Sequence, residues 1–299
     1  MDDDIDIRKE GDTPPMTAPD SFSVTVDCFE SEEDATSYAN LIGQYVREVS
    51  RYIDLARLDG VTIANDYVKS LSNIDRGYES NHTLTPTEDH AIGVAMTPAV
   101  LRDGKVKSHI IIDANIAMPL NDANDEYFDL ALHTFVHECA HVEVTAKFDA
   151  SFPGLLLQRK FGNMHDGIRW QIISACWDEY AVTSICANYG KDPTDGYEEV
   201  FINVLLNARD SANECIKEYR RHGDVDKVYQ EVYRIYGQLL KFASYHIGNL
   251  AGKNISVNDR IKTVNALDGH WFYKYFFELK GYLDELARNY GKWNSCYDF

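Results

Sequence analysis

Three things are scarce in this chain, and each scarcity excludes something. It contains no uninterrupted run of about 18 apolar residues, so no membrane-spanning helix is expected. Positive charge is short: 29 Lys and Arg stand against 48 Asp and Glu, a formal net charge of −19. Nucleic acid and anionic lipid surfaces both recruit Lys and Arg, so neither is expected as a partner. Close cysteine pairs are missing as well. Cys28, Cys139, Cys176, Cys186, Cys215 and Cys296 form no C-x-x-C spacing, which excludes a zinc ribbon and points to reduced thiols. Met1-Asp2-Asp3-Asp4 places acids where a secretory signal carries cations, so a cytoplasmic protein is expected.

What is present is enough apolar material for a sizeable core: 299 residues, 44 % hydrophobic, with 19 Tyr and 13 Phe. Residues 1–20 combine acids with Pro14, Pro15 and Pro19 and read as a disordered acidic tail. Ser21–Val26 alternates like a strand. Apolar residues then recur from Tyr38 to Ala56 at the 3.6-residue period of an amphipathic helix, with Gly60 as its stop and Val61–Ala64 as a strand. Residues 65–88 read as a polar loop that carries an E-x-x-H at Glu79 and His82. Ala91–Met96 is a strand candidate, and Asp103-Gly104 predicts a tight hairpin turn returning through Val106–Ile112. If that returning arm is an open sheet edge, it can hold an extended peptide by strand addition. Asn121–Glu126 supplies capping residues for the helix that follows.

That helix carries the chemistry. His137-Glu138-Cys139-Ala140-His141 spells H-E-x-x-H inside an apolar stretch beginning at Leu130. Residues four apart lie on one helical face, so His137 and His141 can converge on one Zn²⁺. Glu138 sits beside the ion, where a carboxylate can accept a proton from water. His133 extends the stripe, but it lies about 12 Å along the axis from His141. It is therefore assigned to packing or to a supporting contact.

A catalytic zinc takes three protein ligands and leaves a position open. The extended H-E-x-x-H-x-x-G-x-x-H form is absent, because Val144 and Lys147 stand at its last two fixed positions. Candidates for the third ligand are Glu143, His165, Asp178 and Glu179. Glu179 is preferred, since it interrupts the buried stripe of a second helix expected from Asp166 to Tyr189. Asp178 fits either a partner for a ligand histidine or a surface acid. Tyr180 and His165 are candidates to donate to an oxyanion in the transition state.

His137-Glu138-Cys139-Ala140-His141 followed by Trp177-Asp178-Glu179-Tyr180-Ala181 resembles the gluzincin branch of zinc metallopeptidases, and small bacterial zincins of the ImmA/IrrE type are a nearer comparison. The resemblance covers about residues 91–186. It implies zinc held by His137, His141 and Glu179, with Glu138 as general base. Thr183 stands where members often carry an Asp, which leaves the orientation of the histidines unexplained.

The expected fold is α+β. A zincin-like metallopeptidase core (a small twisted sheet plus an active-site helix) spans 21–190, and a helical region spans 191–299, packed on or beside the core and able to bind a protein partner. The expected function is zinc-dependent hydrolysis of peptide or protein substrates. The alternative is a non-catalytic, zinc-stabilised binding or regulatory protein. A di-iron carboxylate bundle would need a second helical E-x-x-H, for which only Glu79 and His82 are at hand.

Overall fold

The computed structural model describes residues 13–80, 83–86 and 93–293. The protein is α+β: a five-stranded mixed sheet followed by a helical C-terminal region. Strand β1 (Ser23–Val26) leads through helix α1 (Glu32–Val49) to β2 (Leu58–Ala64), which pairs with β1 in parallel. Ser31 caps α1 by accepting from the Asp34 amide, and Glu32, Glu33 and Asp34 complement the positive end of its dipole. Its buried stripe is Tyr38, Ile42, Val46 and Val49. Burying each such side chain contributes about 1.5–3 kcal/mol.

The helix stops earlier than the apolar period suggests. The Ser50 side chain donates to the Arg47 carbonyl, and Ile53 and Leu55 are buried from a loop, not from a further turn. Gly60 does not terminate the helix. It lies inside β2, where a Cβ would come within 2.3 Å of the Ser23 side chain, so glycine permits the close approach of β1. Residues 13–20, expected as part of a disordered tail, are tied down where described. The Thr17 hydroxyl donates to the Ser50 carbonyl at 2.7 Å, and the Arg51 side chain reaches the Pro14 carbonyl. Residues 1–12 lie outside the described residues, as do His82, Ala91, Ile92 and Cys296.

Between β2 and the hairpin, the expected loop contains helix α2 (Tyr67–Asn73), capped by Asp66. Its Tyr67 and Leu71 cover Ile111 on one face of the sheet. Strands β3 (Ala95–Met96) and β4 (Ala99–Arg102) both pair antiparallel with β5 (Lys105–Asp113), and the β4–β5 turn falls at Asp103-Gly104 as expected. The sequence leaves open whether the returning arm is an edge or an interior strand, and it is interior. β5 lies inside the sheet, parallel to β2 on its other side. Its consecutive Ile110, Ile111 and Ile112 explain this, because a strand covered on both faces needs apolar residues pointing both ways. On this side the edge belongs to β3 and β4.

After a short helix α3 (Ala114–Ala117), Asn121–Glu126 does not cap the next helix by side chain. It forms Asx turns, in which Asp122 accepts from the Asn124 amide and Asp125 from the Tyr127 amide. Helix α4 (Phe128–Ser151) lies between β5 and α6 (Met164–Cys186), with the single turn α5 (Leu155–Gln158) between the two long helices. Being covered on both sides, α4 is apolar around most of its circumference.

The remaining long helices are α7 (Thr194–His222) and α8 (Val225–Gly252), then α9 (Ile261–Leu267) and α10 (Tyr273–Arg288). One hydrophobic cluster runs from Tyr38 in α1 through α4 and α6 to Phe276 and Trp293, so the C-terminal helices share the core of the sheet region. Among the described residues no helix is long and apolar enough to cross a membrane.

Candidate metal centre

Burial of α4 on two sides carries its polar residues inside with it. His137 and His141, one turn apart, turn their rings toward each other, with their Nε2 atoms 3.2 Å apart. Glu179 enters from the middle of α6, its Oε2 at 3.8 Å from Nε2 of His137 and 3.9 Å from Nε2 of His141. That oxygen is buried and has no hydrogen-bond partner. An orphaned carboxylate oxygen inside a protein costs several kcal/mol unless a cation answers it. The three atoms form a nearly equilateral triangle, and a point about 2.1 Å from each exists, the length of a Zn–N or Zn–O bond. The donor set of two imidazoles and one carboxylate fits a divalent ion of zinc type.

Each ligand candidate is oriented by a neighbour. Asp178, one residue before Glu179, accepts from Nδ1 of His141 at 2.9 Å, and this leaves Nε2 facing His137. Thr183, at the position where an Asp was noted as missing, donates to the Glu179 and Tyr180 carbonyls of the preceding turn and not to a histidine. The Sγ of Cys186 stands 3.7 Å from Nδ1 of His137, and the ring of Tyr245 lies parallel to the His137 ring at 6.1 Å. Burial and the neighbouring His141 push His137 down to about 3. Burial opposes a charge on His141 too, but Asp178, Glu179 and Glu138 outweigh it and hold that imidazole up to about 10.

Glu138 is buried beside this pair, and burial raises its pKa above the ordinary carboxylate value. Thr97, between β3 and β4, donates its hydroxyl to Oε2 of Glu138 at 2.6 Å and so links α4 to the sheet edge. The cavity here has a volume of about 300 Å³, and Gly93, Ala95, Met96 and Thr97 of the edge form one wall. Val94 and Pro98 turn their carbonyls to β5, accepting from the Asp113 and His109 amides. By alternation, Ala95 and Thr97 point their backbone N–H and C=O groups away from β5.

The opposite wall comes from α8. Gly248 makes this possible, since a Cβ there would lie 2.3 Å from Thr183 Oγ1 and from the Tyr180 carbonyl. With the helices that close, Lys241 reaches Oε1 of Glu179 at 3.1 Å, and the Tyr245 hydroxyl donates to the same carboxylate. Glu179 ionises below its ordinary value. Burial opposes this, but Lys241 and the two histidines outweigh it.

The structure thus brings together His137, Glu138, His141, Asp178 and Glu179 in one cavity. It does not bring in the two expected oxyanion donors. Tyr180, on the next step around α6 from Glu179, sends its hydroxyl to Asp284 of α10 at 3.0 Å and stacks on Trp177. His165 sits in the first turn of α6, about 21 Å along the axis from Glu179. It pairs there with the Tyr233 hydroxyl at 2.8 Å. His133 donates from Nδ1 to the Tyr189 carbonyl, and Glu143 accepts from the Asp54 amide, so both are occupied in packing the chain.

Three contributors escaped the sequence: Thr97, Lys241 and Tyr245. Only the last two left a signal. They stand four apart on α8, a polar pair breaking the apolar run around Leu239, Leu240 and Ala243. A second group, His133, His137 and Cys186, also has ligand atoms within 4.8 Å. Its thiol is pushed up to about 12, chiefly by burial. Comparison with family models, curated proteins and solved structures found no match to this chain.

Proposed function

We propose that this chain is a zinc-dependent peptidase with a gluzincin-like core, in which His137, His141 and Glu179 hold the metal and Glu138 is the general base. The reading is carried by the orphaned Oε2 of Glu179, aimed at two Nε2 atoms that already face each other. Zinc held there supplies a Lewis acid that polarises a carbonyl and makes water nucleophilic near neutral pH.

The chain's own residues supply the rest. Glu138, its pKa raised by burial, is suited to take the proton of the attacking water and return it to the leaving amine. Thr97 holds that carboxylate in place. Tyr245 stands on the cavity wall, which Tyr180 and His165 do not line, and its hydroxyl holds the Glu179 carboxylate. The outward backbone groups of Ala95 and Thr97 can pair with an extended substrate peptide by strand addition, at β3 and the residue after it and not at β5.

Glu138→Gln keeps the shape of the side chain and removes its basicity. Measured on a peptide library, it abolishes cleavage while metal analysis still finds about one zinc per chain. Cleavage at the wild-type rate by this variant removes the mechanism. Metal uptake by wild-type protein that cleaves no peptide in the library favours the zinc-stabilised binding protein instead.

A further inference from the structure

Glu179 has two oxygens, and the fold treats them differently. Oε2 faces the two histidines and has no hydrogen-bond partner, whereas Oε1 is taken by the ammonium of Lys241 at 3.1 Å. Lys241 comes from neither metal helix but from α8, in the C-terminal region. Its ammonium also lies 5.6 Å from the centre of the Tyr245 ring, so it is held from two sides. Tyr245, one turn further on, donates to the same carboxylate. A carboxylate can approach a metal with one oxygen or with both. A second oxygen on the ion would fill the position that a catalytic site leaves open.

We propose that Lys241 is a positioning residue of the metal centre: by occupying Oε1 of Glu179 it restricts that carboxylate to the single oxygen that faces His137 and His141. The inference rests on the metal reading of the site. It also assigns a role to the C-terminal region, which supplies through α8 the contact that sets the coordination number. A lysine that merely neutralised a buried acid would change the stability of the metal-free protein. It would leave the coordination of a bound ion untouched.

The test uses the full chain with Co²⁺ as probe, because its visible absorption is strong in four-coordinate sites and weak when a further ligand joins. Wild type, Lys241→Met and Lys241→Arg are compared at saturating Co²⁺, with far-UV circular dichroism as the control for folding. Lys241 is one-third exposed, so the methionine has room. In Lys241→Met the absorption falls severalfold as the second carboxylate oxygen closes on the ion. Lys241→Arg keeps a donor within reach of Oε1 and keeps the wild-type spectrum.

A Lys241→Met spectrum superimposable on wild type overturns the proposal. Equal losses in both variants also overturn it, since the effect then belongs to packing. Wild-type protein that takes up no Co²⁺ removes the metal reading itself, before any Lys241 variant is compared.

Discussion

Two buried glutamates face two different problems in this molecule. Glu198 on α7 sits in the C-terminal region, and its own chain answers both of its oxygens. Arg260 holds Oε2, while the amide and hydroxyl of Thr263 donate to Oε1 at 3.1 and 2.8 Å. His246 completes the set by donating to the Thr263 hydroxyl at 2.9 Å and stacking on Phe201. Glu179 on α6 is also buried, yet only one of its oxygens is answered. A polar group closed by its neighbours serves the fold, and one left open at the meeting point of two imidazoles marks a place for a ligand. The same contrast separates the histidines. His246 is held down by burial and engaged in packing, whereas His137 and His141 face each other across 3.2 Å.

The sharpest way to break this comparison is to delete each acid in turn. Glu179→Ala is expected to reduce bound metal from about one ion per chain to near none. The melting curve of the chelated protein stays within about 1 kcal/mol of wild type, because Lys241 can turn to solvent. Metal retained at full occupancy by this variant would transfer the third contact to another residue. Glu198→Gln is expected to do the reverse. It costs about 2 kcal/mol in urea unfolding by removing the charge and one of the two oxygens that Arg260 and Thr263 use, and metal content does not change.

A smaller effect is expected at Asp178. Asp178→Asn removes the charge that orients His141 and weakens metal binding about tenfold, read by competition with a chelator, with little change in stability. The smallest concerns pH. Burial works against the ionised form of Glu198, but Arg260 and Thr263 outweigh it and hold its pKa below the ordinary value. Its contribution to stability is therefore complete above the unfolded pKa of about 4.3 and is lost as pH falls through the folded value. The difference in urea midpoint between wild type and Glu198→Gln should be constant from neutral pH down to that point, then shrink. A difference that persists undiminished well below pH 4 would argue against an ionised Glu198.

The spacing of residues along one element settled what depends on that element alone. His137 and His141 share a face because a helix repeats every 3.6 residues, and no partner is needed to say so. The same local rule placed Glu179 on a buried stripe and Asp103-Gly104 in a hairpin turn. Tertiary packing decided the rest. β5 became an interior strand because β2 came to lie on its far side, a pairing between segments separated by some 40 residues. Tyr180 and Glu179 are adjacent in sequence but about 100° apart around α6, so one faces α10 and the other the histidines. Lys241, Tyr245 and Thr97 join the site from α8 and the sheet edge. Nothing in their own neighbourhoods says which acid or imidazole they meet, because contact between distant segments is set by how whole faces pack.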